Sequence, residues 1–392
     1  MDNRPSPFSP GRPVPVDQFV GRQEQIKKIE YTLRKSASGR LENVFLVGER
    51  GIGKSSLASF IRTLAEKRNF LGIHVNLLNS KDLTDVVGLI SEEIYKQSSK
   101  EKFASSVKAV FGKLIKEVDL FGVKVEFNAS KSDAEYMVRN FPKFLDTVYN
   151  KIKEEKDGLF IALDDINGLS KTPEFANWYK SFVDYIATNN MNLPIFIMLE
   201  GIPEIRNSLY DFQESLMRIF DVIEVTNLKK EDVSEFFIQT FSSEGISVDQ
   251  NALDAMIKFS NGLPIVMQEI GDAVFYLTED RRITSKEAYE GVIEAAKNIG
   301  KKYLNPKVFQ TLRSEKYRKI LEVIGKKMTM KFTTQELNKE LEEPEKNVLK
   351  NFLSKMKDLG IIFPDSEGRR GSYKFENHLY LVYIILQAYT SA

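Results

Sequence analysis

The sequence predicts an α/β protein in which a parallel sheet, covered on both faces, is followed by a helical segment and a small terminal domain of helices and a hairpin. Three observations carry this. Short apolar runs alternate with helical patterns from Val44 onward, a glycine-rich turn joins the first run directly to the next helix, and beyond about Asn227 helical spacing displaces the alternation.

Taken in order, five of the thirteen prolines fall between Pro5 and Pro15, which no helix or central strand tolerates, so residues 1–17 read as an extended arm lying on a surface. Ile26, Ile29 and Leu33 recur at helical spacing, and Val44 to Val47 reads as a buried strand. Leu57 to Leu64 continues as a helix, Gly72 to Leu78 as a strand and Leu83 to Tyr95 as a helix; Leu159 to Leu163 and Pro194 to Leu199 supply further buried strands. Trp178, on a helix that Thr172-Pro173 starts, reads as packing. Residues 96–133 interrupt the pattern, and from Val118 to Phe127 apolar residues alternate around Gly122 as in an inserted hairpin, which either docks a partner or completes a local sheet. Helices dominate from 227 to 304. The block 305–392 then offers helices at Lys307 to Gly325, Thr334 to Leu341 and Pro344 to Leu359, with a hairpin around Ser366 to Ser372. Three helices followed by a hairpin is the order of a winged helix.

Composition narrows the chemistry. The 392 residues allow two or three domains, and 42% apolar with 28% charged residues fits a packed globular chain. With 56 basic against 55 acidic residues there is no global field for a polyanion, so nucleic-acid binding would need a local patch. The lack of cysteine excludes disulfides, thiolate metal sites and cysteine nucleophiles, and the two histidines, His74 and His378, stand far apart in the chain and leave little for a histidine site. No apolar run spans a bilayer, the late stretch Leu379 to Leu386 being far too short, and no signal peptide opens the chain; the expectation is a cytoplasmic protein with no membrane partner.

Gly48-Glu49-Arg50-Gly51-Ile52-Gly53-Lys54-Ser55 matches the P-loop pattern in full, directly after an apolar strand and before a helix. Gly51 and Gly53 let the backbone turn its N–H groups toward phosphates, and the positive end of the following helix adds attraction. Lys54 is expected to reach the β- and γ-phosphates and Ser55 to ligate Mg²⁺, with Ser56 completing the lining. The expected cofactors are therefore ATP and Mg²⁺, adenine being preferred because no Asn-Lys-x-Asp guanine-reading element follows. Leu159-Phe-Ile-Ala-Leu-Asp-Asp165 supplies the second strand such a site needs: Asp164 to anchor Mg²⁺ and Asp165 to orient the attacking water. The plain alternative is two acids ending a strand at the solvent edge.

With these motifs the chain resembles the AAA+ ATPases, in a branch near the origin-recognition initiators and the STAND signalling ATPases, over roughly Phe19 to Tyr303. The resemblance implies a P-loop NTPase sheet domain over 18–226, a helical lid over 227–304 and a winged-helix domain over 305–392. Phe19-Val20-Gly21-Arg22 with Glu24 looks like the family's opening motif, which implies that Phe19 and Val20 border the adenine. Asn261-Gly-Leu-Pro264 resembles the lid element whose proline faces the nucleotide, although a glycine cap before a proline helix start needs no function. Arg218 stands where relatives carry an arginine that completes a neighbour's site, which implies a nucleotide-dependent homo-oligomer; as a solvated helix arginine it needs no such role. Glu200 ends the sensor strand where the family usually offers Asn, Ser or Thr, and either binds the catalytic water or is a strand-end acid. No lid arginine follows Pro264, and Asp165 replaces the commoner Glu. These departures favour a slow ATPase, converting ATP and water to ADP and phosphate, over a processive motor.

Two roles follow. Lys346, Lys350, Lys355 and Lys357, set against Glu345 and Asp358, with Arg369, Arg370 and Lys374 on the wing, suit duplex DNA phosphates. The chain is then a DNA-associated switch. Alternatively it is a STAND-like signalling or defence ATPase whose partner is a protein effector and whose winged helix is autoinhibitory or a scaffold.

Overall fold

The structure is a computed structural model, and it describes residues 5–112, 114–117, 125–278, 280–303, 314–327, 329–365, 368–375, 380–381 and 383. Two compact units divide the chain: one is Pro13–Thr226, and the other joins residues 1–12 to residues 227–392.

The first unit is built on five parallel strands, β1 (Leu41–Val47), β2 (Phe70–Asn76), β5 (Gly158–Asp164), β6 (Ile195–Gly201) and β7 (Asp221–Glu224), in the order β2-β5-β6-β1-β7. The central strands are buried along nearly their whole length, as near-continuous apolar runs require when helices cover both faces. Helices α1 (Gln23–Ala37), α2 (Lys54–Lys67) and α3 (Leu83–Ser98) each bury an apolar stripe, for example Ile26, Ile29 and Leu33 of α1. Asp82 caps α3 by accepting from the Thr84 and Asp85 N–H groups. Trp178, on the helix α7 (Pro173–Thr188), does pack, stacking on Phe182 and donating its indole N–H to the Val138 carbonyl at 3.0 Å.

The insert begins with α4 (Ala104–Phe111) and contains a two-stranded antiparallel ribbon, β3 (Ile115–Glu117) with β4 (Val125–Phe127). The first strand comes earlier than the alternation suggests; Val118, Leu120 and Val123, expected in the hairpin, lie outside the described residues. The ribbon is a sheet of its own, and the Phe127 N–H donates to Glu92 of α3. Helices α5 (Lys131–Arg139) and α6 (Phe141–Ile152) lead to β5.

The second unit contains α10 (Lys230–Ser243), α11 (Gln250–Ser260), α12 (Pro264–Leu277) and α13 (Ser285–Tyr303), with a short parallel pair, β8 (Ser247–Val248) and β9 (Arg282–Ile283), between them. Its sequel is α14 (Glu315–Lys327), β10 (Lys331–Thr333), α15 (Thr334–Glu340), α16 (Glu343–Asp358), β11 (Ile362–Pro364) and β12 (Ser372–Phe375), the strands forming an antiparallel sheet in the order β10-β12-β11. A full capping box starts α15, Thr333 and Glu336 each bonding the other's backbone N–H. Residues 307–313 of the expected first helix, residues 366 and 367 of the hairpin, and His378 lie outside the described residues.

The arm departs from expectation. Phe8 is 5% exposed, not superficial, and its ring sits among Phe236, Phe237 and Phe241 of α10. Gly271 of α12 makes the seat, since a Cβ there would lie 2.1 Å from the ring. The next residue's N–H, that of Ser9, donates to Oε1 of buried Gln268 at 2.7 Å.

Candidate functional site

The turn between β1 and α2 has the backbone that its glycines anticipate: Gly51 and Gly53 take φ of 75° and 91°, a region that costs a side chain and not glycine. Helix α2 starts at Lys54, so its unpaired N–H groups open onto the loop. Lys54 Nζ donates to the loop's own carbonyls, those of Gly48 and Glu49, at 2.9 Å each. Burial lowers the Lys54 pKa, and the fields of Glu200, Asp164, Glu49 and Asp165 oppose that. Ser55 is half-buried in the first turn of α2; Glu49 and Arg50 are exposed and Ile52 is buried. Ser56 faces the chain's entry to this unit, its Oγ accepting the Val14 N–H at 3.1 Å.

Arg22 braces the loop, a role its sequence neighbours do not reveal. It is 7% exposed with φ of 63°, donates through Nη2 to the Ile52 carbonyl at 2.9 Å, and donates through Nη1 to the Thr226 carbonyl. Phe19 and Val20 just before it are half-buried, and the Phe19 ring stacks on Phe60 of α2 with centroids 4.7 Å apart.

Beside the loop, three adjacent strands bring polar side chains together at their carboxyl ends. His74 pairs with Ala162, two residues before Asp164, and Leu163 pairs with Leu199, so the next residues, Asp164 and Glu200, are level. Alternation along the strands places His74, Asp164 and Glu200 on one face. One ligand atom from each lies within 4.8 Å of the other two, and His74 Nε2 is 3.8 Å from Glu200 Oε1. Glu200 is fully buried, and neither of its oxygens has a hydrogen-bond partner. Its carboxyl is pushed well above the ordinary range, first by burial and then by Asp164. Burial also lowers the His74 pKa, against the pull of Asp164. The two histidines stand far apart in the sequence, yet β2 carries His74 beside the two acids. Asp165 follows in a left-handed conformation, φ 57°, at the start of the 3-10 turn Ile166–Lys171.

The remaining expected residues lie on other elements. Arg218 is exposed on the four-residue helix α9 (Leu216–Ile219), which follows α8 (Pro203–Phe212) and comes just before the edge strand β7. Pro264 belongs to the other unit, at the first turn of α12 after Asn261 and Gly262, both at positive φ, close α11. In that unit Lys350, Lys355, Lys357, Arg369, Arg370 and Lys374 are exposed, and Lys346 is half-buried and pairs with Glu343. Glu345 does not oppose these lysines on the surface as expected; it is 3% exposed, 3.8 Å from Lys319 of α14. At about 3.6 residues per turn, Lys346, Lys350 and Lys357 share one flank of α16, and Lys355 lies on the other side of its exposed face.

Residues 18–176 match a family model described as an AAA ATPase domain. Over those residues the chain is similar to AAA ATPase domains. The match ends just after Asp164 and Asp165, so both strands expected to carry the chemistry fall inside the AAA domain. Among solved structures, the ORC2 protein of Aeropyrum pernix, in ADPNP–ADP complexes, has a TM-score of 0.58 at 12% identity, over 100% of this chain and 96% of that one. A Walker-type ATPase of Pyrococcus abyssi has a TM-score of 0.52 at 17% identity, over 98% and 99%. At such identities these likenesses speak for fold. No curated protein matches the sequence. Among the described residues no helix is long and apolar enough to cross a membrane.

Proposed function

We propose that the chain is an ATP-binding switch that hydrolyses ATP slowly and associates with duplex DNA. The observation that carries nucleotide binding is the state of Lys54, a half-buried ammonium that donates to two backbone carbonyls at the mouth of a glycine loop. Phosphate oxygens are stronger acceptors than carbonyls, because charge-assisted bonds are about twice as strong as neutral ones. The donor set fits a magnesium–triphosphate: loop N–H groups and Lys54 for the phosphates, the Ser55 hydroxyl and the Asp164 carboxylate for the ion. Bound there, Mg²⁺ would neutralise phosphate charge as it develops. Asp165, at its left-handed turn, orients the attacking water, and Glu200 either binds that water or is an acid that ends the strand. On this reading Phe19 and Val20 border the base, and Arg218, exposed beside an edge strand, reaches the site of a second copy.

DNA association rests on the terminal block of three helices and three strands, read as a winged helix. Lys350 and Lys357 on one flank of α16, with Arg369, Arg370 and Lys374, offer charges to phosphates without reading bases.

Calorimetric titration with ATP and Mg²⁺ tests the first half. Lys54→Ala should lower affinity at least tenfold, about 1.4 kcal/mol, with circular dichroism unchanged; undiminished affinity removes Lys54 from the site. Asp165→Asn should keep ATP bound while phosphate release stops. For the second half, reversing charge at Lys350, Lys357 and Arg370 should abolish a mobility shift with duplex DNA. A shift with unchanged salt dependence would make the block a protein-facing module, as a signalling ATPase requires.

A further inference from the structure

Glu200 poses a physical problem that phosphate binding does not solve. It is 0% exposed, and neither oxygen has a partner. Removing a carboxylate from water costs several kcal/mol unless a counter-charge or hydrogen bonds compensate, and a second carboxylate, Asp164, shares the cluster. Lys54 acts on Glu200 through its field, but its ammonium donates to Gly48 and Glu49 and not to the carboxyl.

The third member shows what would satisfy the pair. His74 Nε2 approaches Glu200 Oε1 at 3.8 Å, too long for a hydrogen bond. A cation bound at about 2.0–2.2 Å by each donor keeps neighbouring donors about 3–4 Å apart. The separations in the cluster, all within 4.8 Å, need little adjustment to reach that. Magnesium prefers oxygen donors in a strict octahedron and keeps most of its water. One imidazole with two carboxylates suits first-row transition ions instead. The donors sit on three neighbouring strands of one sheet, so the backbone holds their spacing without an ion.

We propose that His74, Asp164 and Glu200 bind one divalent first-row transition cation of the Mn²⁺ class, without nucleotide, at a position distinct from the magnesium at Ser55. Asp164 belongs to both positions. An ion held by the cluster therefore links the sensor strand β6 to the strand that carries the nucleotide's metal ligand.

Electron paramagnetic resonance of Mn²⁺ added to the full chain, free of nucleotide and magnesium, is the test, with Co²⁺ absorption as a second readout. One site per chain is expected. His74→Ala and Glu200→Gln should each weaken it at least tenfold, Ser55→Ala should leave it within about twofold, and the Co²⁺ spectrum should change with His74→Ala alone of the histidine and serine variants, as loss of a nitrogen ligand demands. If Glu200→Gln fails to fold, His74→Ala, at a half-buried position, carries the comparison. Absence of Mn²⁺ and Co²⁺ binding would mean that the carboxyls share a proton instead, and equal loss in Ser55→Ala would put the ion on the P-loop; either overturns the proposal. ATP affinity, measured separately, reports on the nucleotide reading and not on this one.

Discussion

Buried acids are treated differently in the two units. In the helical unit Glu269 is 1% exposed and accepts from Lys302 Nζ at 2.8 and 2.9 Å, and Asp365 receives Lys331 at 3.0 Å. In the α/β unit Glu200 is buried at least as deeply, and nothing donates to it. The difference teaches how to read buried charge. A buried acid that meets a lysine from a neighbouring element is part of the architecture, because its desolvation is offset within the fold. A buried acid without a donor, at the carboxyl ends of parallel strands, is a site, since those ends are where an open α/β sheet receives ligands.

The largest predicted effect probes the satisfied side. Phe8 seals the region where Ser9 bonds Gln268, so Phe8→Ala opens a cavity and loosens a buried polar contact together. The cost should be about 3 kcal/mol, as for other buried Phe→Ala changes, read as lost hydrogen-exchange protection in α10 and α12. Unchanged protection would show that the arm only rests on the unit, and that its polar contacts are incidental.

A smaller effect is expected from Lys302→Met. It leaves Glu269 buried without its ammonium and should cost the helical unit about 2 kcal/mol, in the range for a deserted partner of a buried charge. The urea midpoint of the helical unit measures it. Glu269→Gln should cost less, since Lys302 is half-exposed and water can take over.

How much of this was legible in the sequence depended on how local each signal was. The P-loop was, because eight contiguous residues state both the backbone conformation and the charge, and Asp164 was, because it ends an unbroken apolar run. The alternation of strands and helices anticipated the parallel sheet for the same reason. His74 was not. Its place beside Asp164 and Glu200 comes from the order β2-β5-β6 and from register, neither of which is written in any one segment. Phe8 was hidden differently: prolines announce an extended arm but do not say which pocket, made by Gly271, will accept one ring. Glu345 sits in a basic helix and reads as surface until α14 brings Lys319 to it.

The smallest effect is the sharpest test, because its sign is predicted to depend on conditions. In chelator, Glu200→Gln replaces a buried carboxyl that no donor stabilises, and the new amide can donate toward Asp164; stability should stay level or rise by about 1 kcal/mol. Glu269→Gln, changed in the same way, should fall by a similar amount because it gives up an ion pair. The two isosteric changes thus move in opposite directions if the comparison between the units holds. Adding Mn²⁺ at ten times its dissociation constant should then stabilise the parent by about 1.4 kcal/mol through binding to the folded state alone, and the Glu200 variant by far less. The order of parent and Glu200 variant reverses, and that of parent and Glu269 variant does not. If Glu200→Gln is the more damaging change even in chelator, Glu200 has a structural partner after all, and the contrast between the two units fails at its central residue.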